Sequence, residues 1–259
     1  MKRILLCAAA LLGLTSVNWA APAFINEYNA GGATVAGDWF EVVVVGAGIA
    51  GSVVDMRGWE FRVSNSPLND GQQQQQGLFK LSQNSYWGNV QAGTIITFFK
   101  DDASTPAPRT SMLGMDRFSS EGWGHTNIQV SDPTFIDVNF LMNDGDYPVD
   151  ENFSQFAIFD KNSNLVFGPA GEGHAGYPGS GVKETEVFKL EANPSPLITL
   201  ASPYNDGTTS TFGAPNQWTT NMVTNVQDFS AFAIPEPGSI SMLILGGVLF
   251  AYRRQRGKP

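Results

Sequence analysis

Cysteine, histidine and positive charge are all scarce in this chain. One cysteine, Cys7, in 259 residues leaves no partner for an intramolecular disulfide, so the core must hold by packing alone. Two histidines, His125 and His174, do not make a zinc site, which needs three or four His, Cys or carboxylate ligands in recognisable spacing. Both lie in glycine-rich surroundings, Gly122-Trp123-Gly124-His125 and Gly171-Glu172-Gly173-His174, and read as solvated loop residues. No window holds a helical hydrophobic period for three turns, which argues against helical bundles and α/β folds. The apolar run Ile240 to Tyr252 is 13 residues, short of the roughly 20 that cross a bilayer comfortably.

What is present sits first at the ends. Lys2-Arg3 form a charged n-region, Ile4 to Leu14 an apolar h-region, and Ala21-Pro22-Ala23 offers the small residues of a secretory cleavage site. This predicts a signal peptide over residues 1–23, cut after Ala23, with Ala20 or Ala21 as alternatives. Cys7 lies in the h-region and leaves with it. At the other end Pro235-Glu236-Pro237 precedes the apolar run, and Arg253, Arg254, Arg256 and Lys258 follow it. A short anchor before four basic charges stops translocation with the tail held on the cytoplasmic side.

That tail resembles the PEP-CTERM sorting signal of Gram-negative bacteria, in which Pro-Glu-Pro, a short hydrophobic transmembrane helix and an arginine-rich end are recognised together. Pro235, Glu236 and Pro237 match the tripeptide completely, and Arg253, Arg254 and Arg256 supply the basic end. The resemblance implies an exosortase-type processing enzyme at the inner membrane as a partner, transient membrane insertion, and release to the cell surface or the extracellular polysaccharide of a biofilm matrix. It implies a destination, over residues 234–259, and no biochemistry.

Without leader and tail the chain retains nine Lys and Arg against 23 Asp and Glu, a net charge of −14. Such a surface repels nucleic acid and anionic lipid and favours solubility or association with divalent cations.

The roughly 210 residues between the signals are enough for one large β domain. Short runs rich in Val, Ile, Thr, Phe and Trp predict strands at Phe24–Tyr28, Trp39–Val45, Trp59–Val63, Thr94–Phe99, Thr134–Leu141 and Gln155–Asp160. In Thr134–Leu141 the residues Phe135, Val138 and Phe140 alternate with Asp137 and Asn139, a half-buried pattern with Ile136 out of phase. Asn143-Asp144-Gly145 and Asn205-Asp206-Gly207 carry hairpin turn chemistry, and Gln72–Gln76 reads as a loop tip. The pattern predicts a β sandwich or barrel.

Val42-Val43-Val44-Val45 runs into Gly46-Ala47-Gly48-Ile49-Ala50-Gly51, a complete G-x-G-x-x-G. Dinucleotide binding needs a helix opening at the third glycine, whose amides hold the pyrophosphate. Only six residues separate Gly51 from Gly58, and Trp59-Glu60-Phe61-Arg62-Val63 then alternates like a strand, so the segment reads as a glycine-rich loop.

Three consecutive pieces, Phe24-Ile25-Asn26-Glu27-Tyr28, Asp38-Trp39-Phe40-Glu41-Val42 and Val53-Val54-Asp55-Met56-Arg57-Gly58-Trp59-Glu60-Phe61, resemble the opening of the lamin tail domain. Ser210-Thr211-Phe212-Gly213-Ala214-Pro215-Asn216 is similar to the segment with which bacterial members often end. Departures are Val42-Val43-Val44, where the family has L-Y-N, and Phe212, where proline is common. The resemblance implies an immunoglobulin-like β sandwich over 24–216, here with long loop insertions, and structural roles for Asn26, Glu27, Trp39, Glu41, Gly58 and Trp59. Residues 217–233 read as a last strand or a spacer. In bacteria the domain serves as an attachment or binding module.

Among candidate chemistries, Ser180-Gly181-Val182-Lys183 fits S-x-x-K but sits in a glycine turn instead of opening a helix. Asp144, Asp146, Asp150 and Glu151 form a cluster of the kind that takes calcium, although the spacing is not that of the twelve-residue calcium loop, and an Asp-rich turn is the plainer reading. A glycosidase needs paired acids across a cleft, and Trp87, Trp123 and Trp218 are the aromatics whose surface or core position decides sugar stacking. The sequence therefore predicts an exported, non-enzymatic structural, adhesive or binding protein with no cofactor. The alternatives are an extracellular carbohydrate-active hydrolase and a calcium-dependent carbohydrate or protein binder.

Overall fold

A computed structural model describes residues 21–30, 38–64, 77–100, 121–137, 139, 149, 154–171, 187–207 and 209–234. Residues 1–20 of the predicted leader, the Pro-Glu-Pro tail, Gln72–Gln76, the 143–145 turn, His174, the 180–183 motif and the cluster Asp144, Asp146, Asp150 and Glu151 lie outside the described residues.

The protein is all-β, and among the described residues no α-helix occurs. Fourteen described strands run in chain order: β1 Ala23–Ala30, β2 Asp38–Val44, β3 Val53–Val54, β4 Glu60–Ser64, β5 Gly77–Lys80, β6 Val90–Gln91, β7 Thr94–Phe99, β8 Gly124–Gln129, β9 Gln155–Phe159, β10 Leu165–Gly171, β11 Val187–Leu190, β12 Tyr204–Gly207, β13 Gln217–Thr220 and β14 Val223–Val226. One sheet has the order β12-β11-β1-β2-β7-β8 and a second the order β10-β9-β4-β5. Their pairings are antiparallel except β7 with β8, which is parallel. Two small ribbons, β3-β6 and β13-β14, complete the described set.

Aromatic side chains join the two sheets. Phe40 of β2 lies 4.8 Å from Phe156 of β9 and 5.9 Å from Phe61 of β4, while Tyr28 of β1 lies 4.9 Å from Phe156. Phe61 in turn stands 4.8 Å from Phe98 of β7, so the rings interlock in the tilted and offset arrangements that aromatic quadrupoles favour. Strands β2 and β7 are buried along nearly their whole length, with no polar-out alternation. A central strand is buried this way when both faces of its sheet are covered. One face packs on the second sheet; the segment after β12 covers the other.

Trp87 belongs to the core. It is fully buried in a 3-10 turn, Ser85–Asn89, that Asn84 caps by accepting from the Tyr86 N–H at 2.9 Å, and its own indole N–H reaches the Phe135 carbonyl at 2.8 Å. Gly58, at φ +72°, turns the chain so that Trp59 enters the core at 5 % exposure.

Several expectations need correction. In the expected strand Thr134–Leu141, the described residues 134–137 and 139 do not form a strand: residues 133–135 form a turn, closed by the Phe135 and Ile136 N–H groups on the Asp132 carbonyl at 3.1 and 2.9 Å, that buries Phe135 and Ile136 together. Ile136, out of phase in the alternation, makes a bridge to Leu81. Asn205-Asp206-Gly207 is not a turn; it lies in β12, an edge strand where one side is unpaired and weak strand formers are tolerated. His125 is half-buried on β8 and not in a loop. Residues 217–233 form the β13-β14 hairpin followed by a turn that buries Phe229 and Phe232.

Gly46–Gly51 forms a loop, and a strand, not a helix, follows it at Val53. Gly48 lies against Pro196 so closely that a Cβ would come within 2.6 Å of that ring.

Candidate functional site

The outward face of the larger sheet carries a polar row. Register places Lys189 beside Glu27, Glu27 opposite Glu41, Glu41 opposite Thr97, and Thr97 beside Asn127, across five neighbouring strands. Glu27, Glu41 and Thr97 have no solvent exposure. Two carboxylates and an amine do not stay buried on a sheet face without partners, because an ion without them costs several kcal/mol.

The partners come from residues 209–217, which cross this face. Glu27 Oε1 accepts the Thr211 N–H at 3.0 Å, and Thr211 Oγ1 contacts Glu27 Oε2. Glu41 Oε1 accepts the Gly213 N–H at 2.5 Å and the Thr97 hydroxyl at 2.9 Å. Lys189 Nζ donates to the Thr209 carbonyl at 3.0 Å and the Gln217 carbonyl at 2.5 Å. Trp39, two residues before Glu41 and so on its face, meets the Phe212 ring edge-on at 5.2 Å.

Asn216 closes the assembly. Its amide donates to the Asn26 and Leu190 carbonyls at 3.0 Å each and its Oδ1 accepts the Asn26 amide at 3.0 Å. Gln227 then takes the Asn216 N–H at 3.0 Å and donates to Asn26 Oδ1 at 2.9 Å and the Ala192 carbonyl at 3.0 Å. The network joins residues up to 201 positions apart.

Burial pushes Glu27 up to about 7, against the hydrogen bonds from Thr211 and the charge of Lys189. Glu41 is raised well above the usual carboxylate range by burial and by the neighbouring Glu27, against hydrogen bonds from Gly213, Thr97 and Asn26. Burial lowers Lys189, with Glu27 and Glu191 opposing. Proton counting agrees: Thr211 Oγ1 has one proton and faces two acceptors, Glu27 Oε2 and, at 3.1 Å, Asn216 Oδ1. Both contacts are hydrogen bonds when Glu27 carries a proton and donates it to Thr211.

Beside this sealed network lies an open groove of about 480 Å³. Trp123, Pro215 and Val226 give it apolar surface, and Glu121, Asp228 and Gln217 give it polar groups. Gly122 lets the chain carrying Trp123 approach: at φ +78°, a Cβ there would fall 2.2 Å from the Phe229 carbonyl oxygen and 2.7 Å from the Ala233 nitrogen. Asp228 Oδ1 accepts the Ser230 N–H at 2.8 Å, and hydrogen bonds from Ser230 hold its carboxyl below the usual range.

Of the residues singled out in the sequence, Asn26, Glu27, Trp39 and Glu41 come together at the network. Gly58 and Trp59 serve the opposite side, in the core. Sequence reasoning missed Thr97, Lys189 and Gln227; the signal available was the seven-residue segment Ser210–Asn216, which contains residues that contact the front strands. Among the described residues no group of three or more His, Cys, Asp or Glu can hold a metal ion. No protein-family model, curated protein or solved structure matches this chain.

Proposed function

We propose that this chain is an exported cell-surface or extracellular-matrix protein whose body is an immunoglobulin-like, lamin-tail-like sandwich with a structural, adhesive or binding role. Residues 1–20 act as its signal peptide, and an exosortase-type enzyme removes the tail beginning at Pro235-Glu236-Pro237. Support for the fold comes from contact between the two segments that carry the lamin-tail resemblance: Asn26, Glu27 and Glu41 at the front bind Thr211, Gly213 and Asn216 at the back. Support for binding over hydrolysis comes from the placement of acids. Glu27 and Glu41, the carboxylates that face each other across paired strands, are sealed inside the fold and hold backbone, where no substrate reaches them.

Cleavage after Ala20 fits the body better than cleavage after Ala23. Ala21 donates to the Pro196 carbonyl at 3.1 Å, the Pro22 carbonyl accepts from Val45 and Gly46, and buried Ala23 pairs with Val44. Cutting after Ala23 would discard all of these.

Cell fractionation tests the sorting half. Wild-type chain is expected in the surface and matrix fractions, and Glu236→Ala in the inner membrane. Equal distribution of the two would overturn it.

A further inference from the structure

We propose that the groove between Trp123 and the β13-β14 hairpin binds a strand of hexose polymer that carries no acid groups, with amine-bearing sugars held more tightly than uncharged ones. This deepens the binding role proposed above and rests on it. The groove's volume of about 480 Å³ falls within the range of small-ligand sites. Its composition selects the chemistry. Trp123 is half-buried against the core, so its indole is held at the groove wall as a flat apolar surface, which suits the C–H face of a pyranose. When ionised, Glu121 and Asp228 can only accept, and among the described residues no Lys, Arg or His lines the groove. A ligand must therefore bring donors, as hydroxyls or ammonium groups do, and a uronate would meet like charge.

The hairpin lengthens the site. Gln217 pairs with Val226, both at the groove, and two residues along the same face Thr219 pairs with Thr224, both exposed, so two hydroxyls continue the polar track outward. The alternate face carries Trp218 and Val223, away from the groove. Beneath the groove, Gln227 and Asn216 tie its wall into the buried network, so the site is held rigid before any ligand arrives.

Titration of the mature, full-length exported protein by calorimetry and tryptophan fluorescence tests the proposal, with oligomers of glucose, glucosamine and galacturonic acid as probes. Glucose oligomers are expected to bind, glucosamine oligomers several-fold tighter, and galacturonic acid oligomers weakest. Trp123→Ala should weaken glucose-oligomer binding about tenfold, the scale of one lost aromatic contact, while Trp218→Ala leaves it unchanged. Because Trp123 also packs on the core, Gln217→Ala, at an exposed position, is a second variant and should weaken binding without a change in melting temperature. Glu121→Gln with Asp228→Asn should erase the preference for amine-bearing sugars and retain glucose-oligomer binding; the amide oxygen that Asp228→Asn leaves in place still accepts the Ser230 N–H. No binding of any oligomer at millimolar concentration overturns the proposal. So does binding that Trp123→Ala and Gln217→Ala leave unchanged, or a preference for the uronic acid. None of these results bears on sorting, which fractionation reads independently.

Discussion

Glu27 and Glu41 stand opposite one another on paired strands, both without solvent exposure, and each is held by a backbone N–H from the same crossing segment, Thr211 for one and Gly213 for the other. Two like-charged groups in that position stay neutral more easily than they stay ionised. The body of this protein is therefore closed by carboxyl groups that hold protons at a pH where ordinary carboxylates have lost them.

Stability should fall as pH rises from about 4.5 to about 7. Glu27 ionises near 4.5 in an unfolded chain and near 7 in the fold, so over that window the folded state keeps a proton that the unfolded state has released. Raising pH then favours unfolding, by about 3 kcal/mol for Glu27 alone across the window. Glu41 shifts in the same direction. Asp55, exposed and lowered to about 2 by Arg57, works oppositely but only in more acid solution. Urea denaturation from pH 4 to 8 should show this decline, and a flat or rising profile would contradict it.

Glu27→Gln should make that decline shallower, leaving the part due to Glu41, and leave the protein at least as stable as wild type at pH 7. The amide reproduces the protonated carboxyl, accepting from the Thr211 N–H and donating to Thr211 Oγ1. Comparing denaturation midpoints at pH 5 and pH 7 for the two proteins checks both statements.

Asn216→Ala should cost about 3 kcal/mol, because it leaves the Asn26 and Leu190 carbonyls and the Asn26 amide buried with a lost partner. Urea denaturation reads the loss directly, and a change of under about 1 kcal/mol would mean that the network is not what closes the sheet.

Gly122→Ala should destabilise far more than Gly51→Ala. Both glycines have left-handed backbone, at φ +78° and +76°, but an added Cβ at Gly122 would meet the backbone of Phe229 and Ala233, whereas at Gly51 it meets nothing within 4 Å. The left-handed conformation costs about 1 kcal/mol in each; the excess in melting-temperature loss at Gly122 measures the close approach that shapes the groove.

The strands with strong composition were legible in the sequence. Thr94–Phe99 has the bounds read from its Thr, Ile and Phe run, and Trp39, Phe40 and Val42 mark β2. Strand β8, Gly124-His125-Thr126-Asn127-Ile128-Gln129, has little strand propensity and is held by parallel pairing with β7, a long-range contact that local composition does not carry. The start of Thr134–Leu141 failed for the reverse reason: its alternation was real, but residues 133–135 form a turn that puts Phe135 and Ile136 inside together. Of the polar network, Asn26, Glu27 and Glu41 stand out in the sequence as structural candidates. Their contacts with Thr211, Gly213 and Asn216 were not, since Asn26 and Asn216 lie 190 residues apart and an Asn or Thr in a loop looks the same whether it faces water or a buried carboxyl. The groove was illegible for the same reason: Trp87 and Trp123 differ in position, not in sequence context.

Two-ended processing of an exported chain is decided by the intact mass of the protein recovered from outside its host cells. A species that begins at Ala21 and ends near Pro235, with or without added glycan mass, is expected. A chain that retains its tail through Lys258 and stays in the inner membrane would contradict export to the surface or matrix.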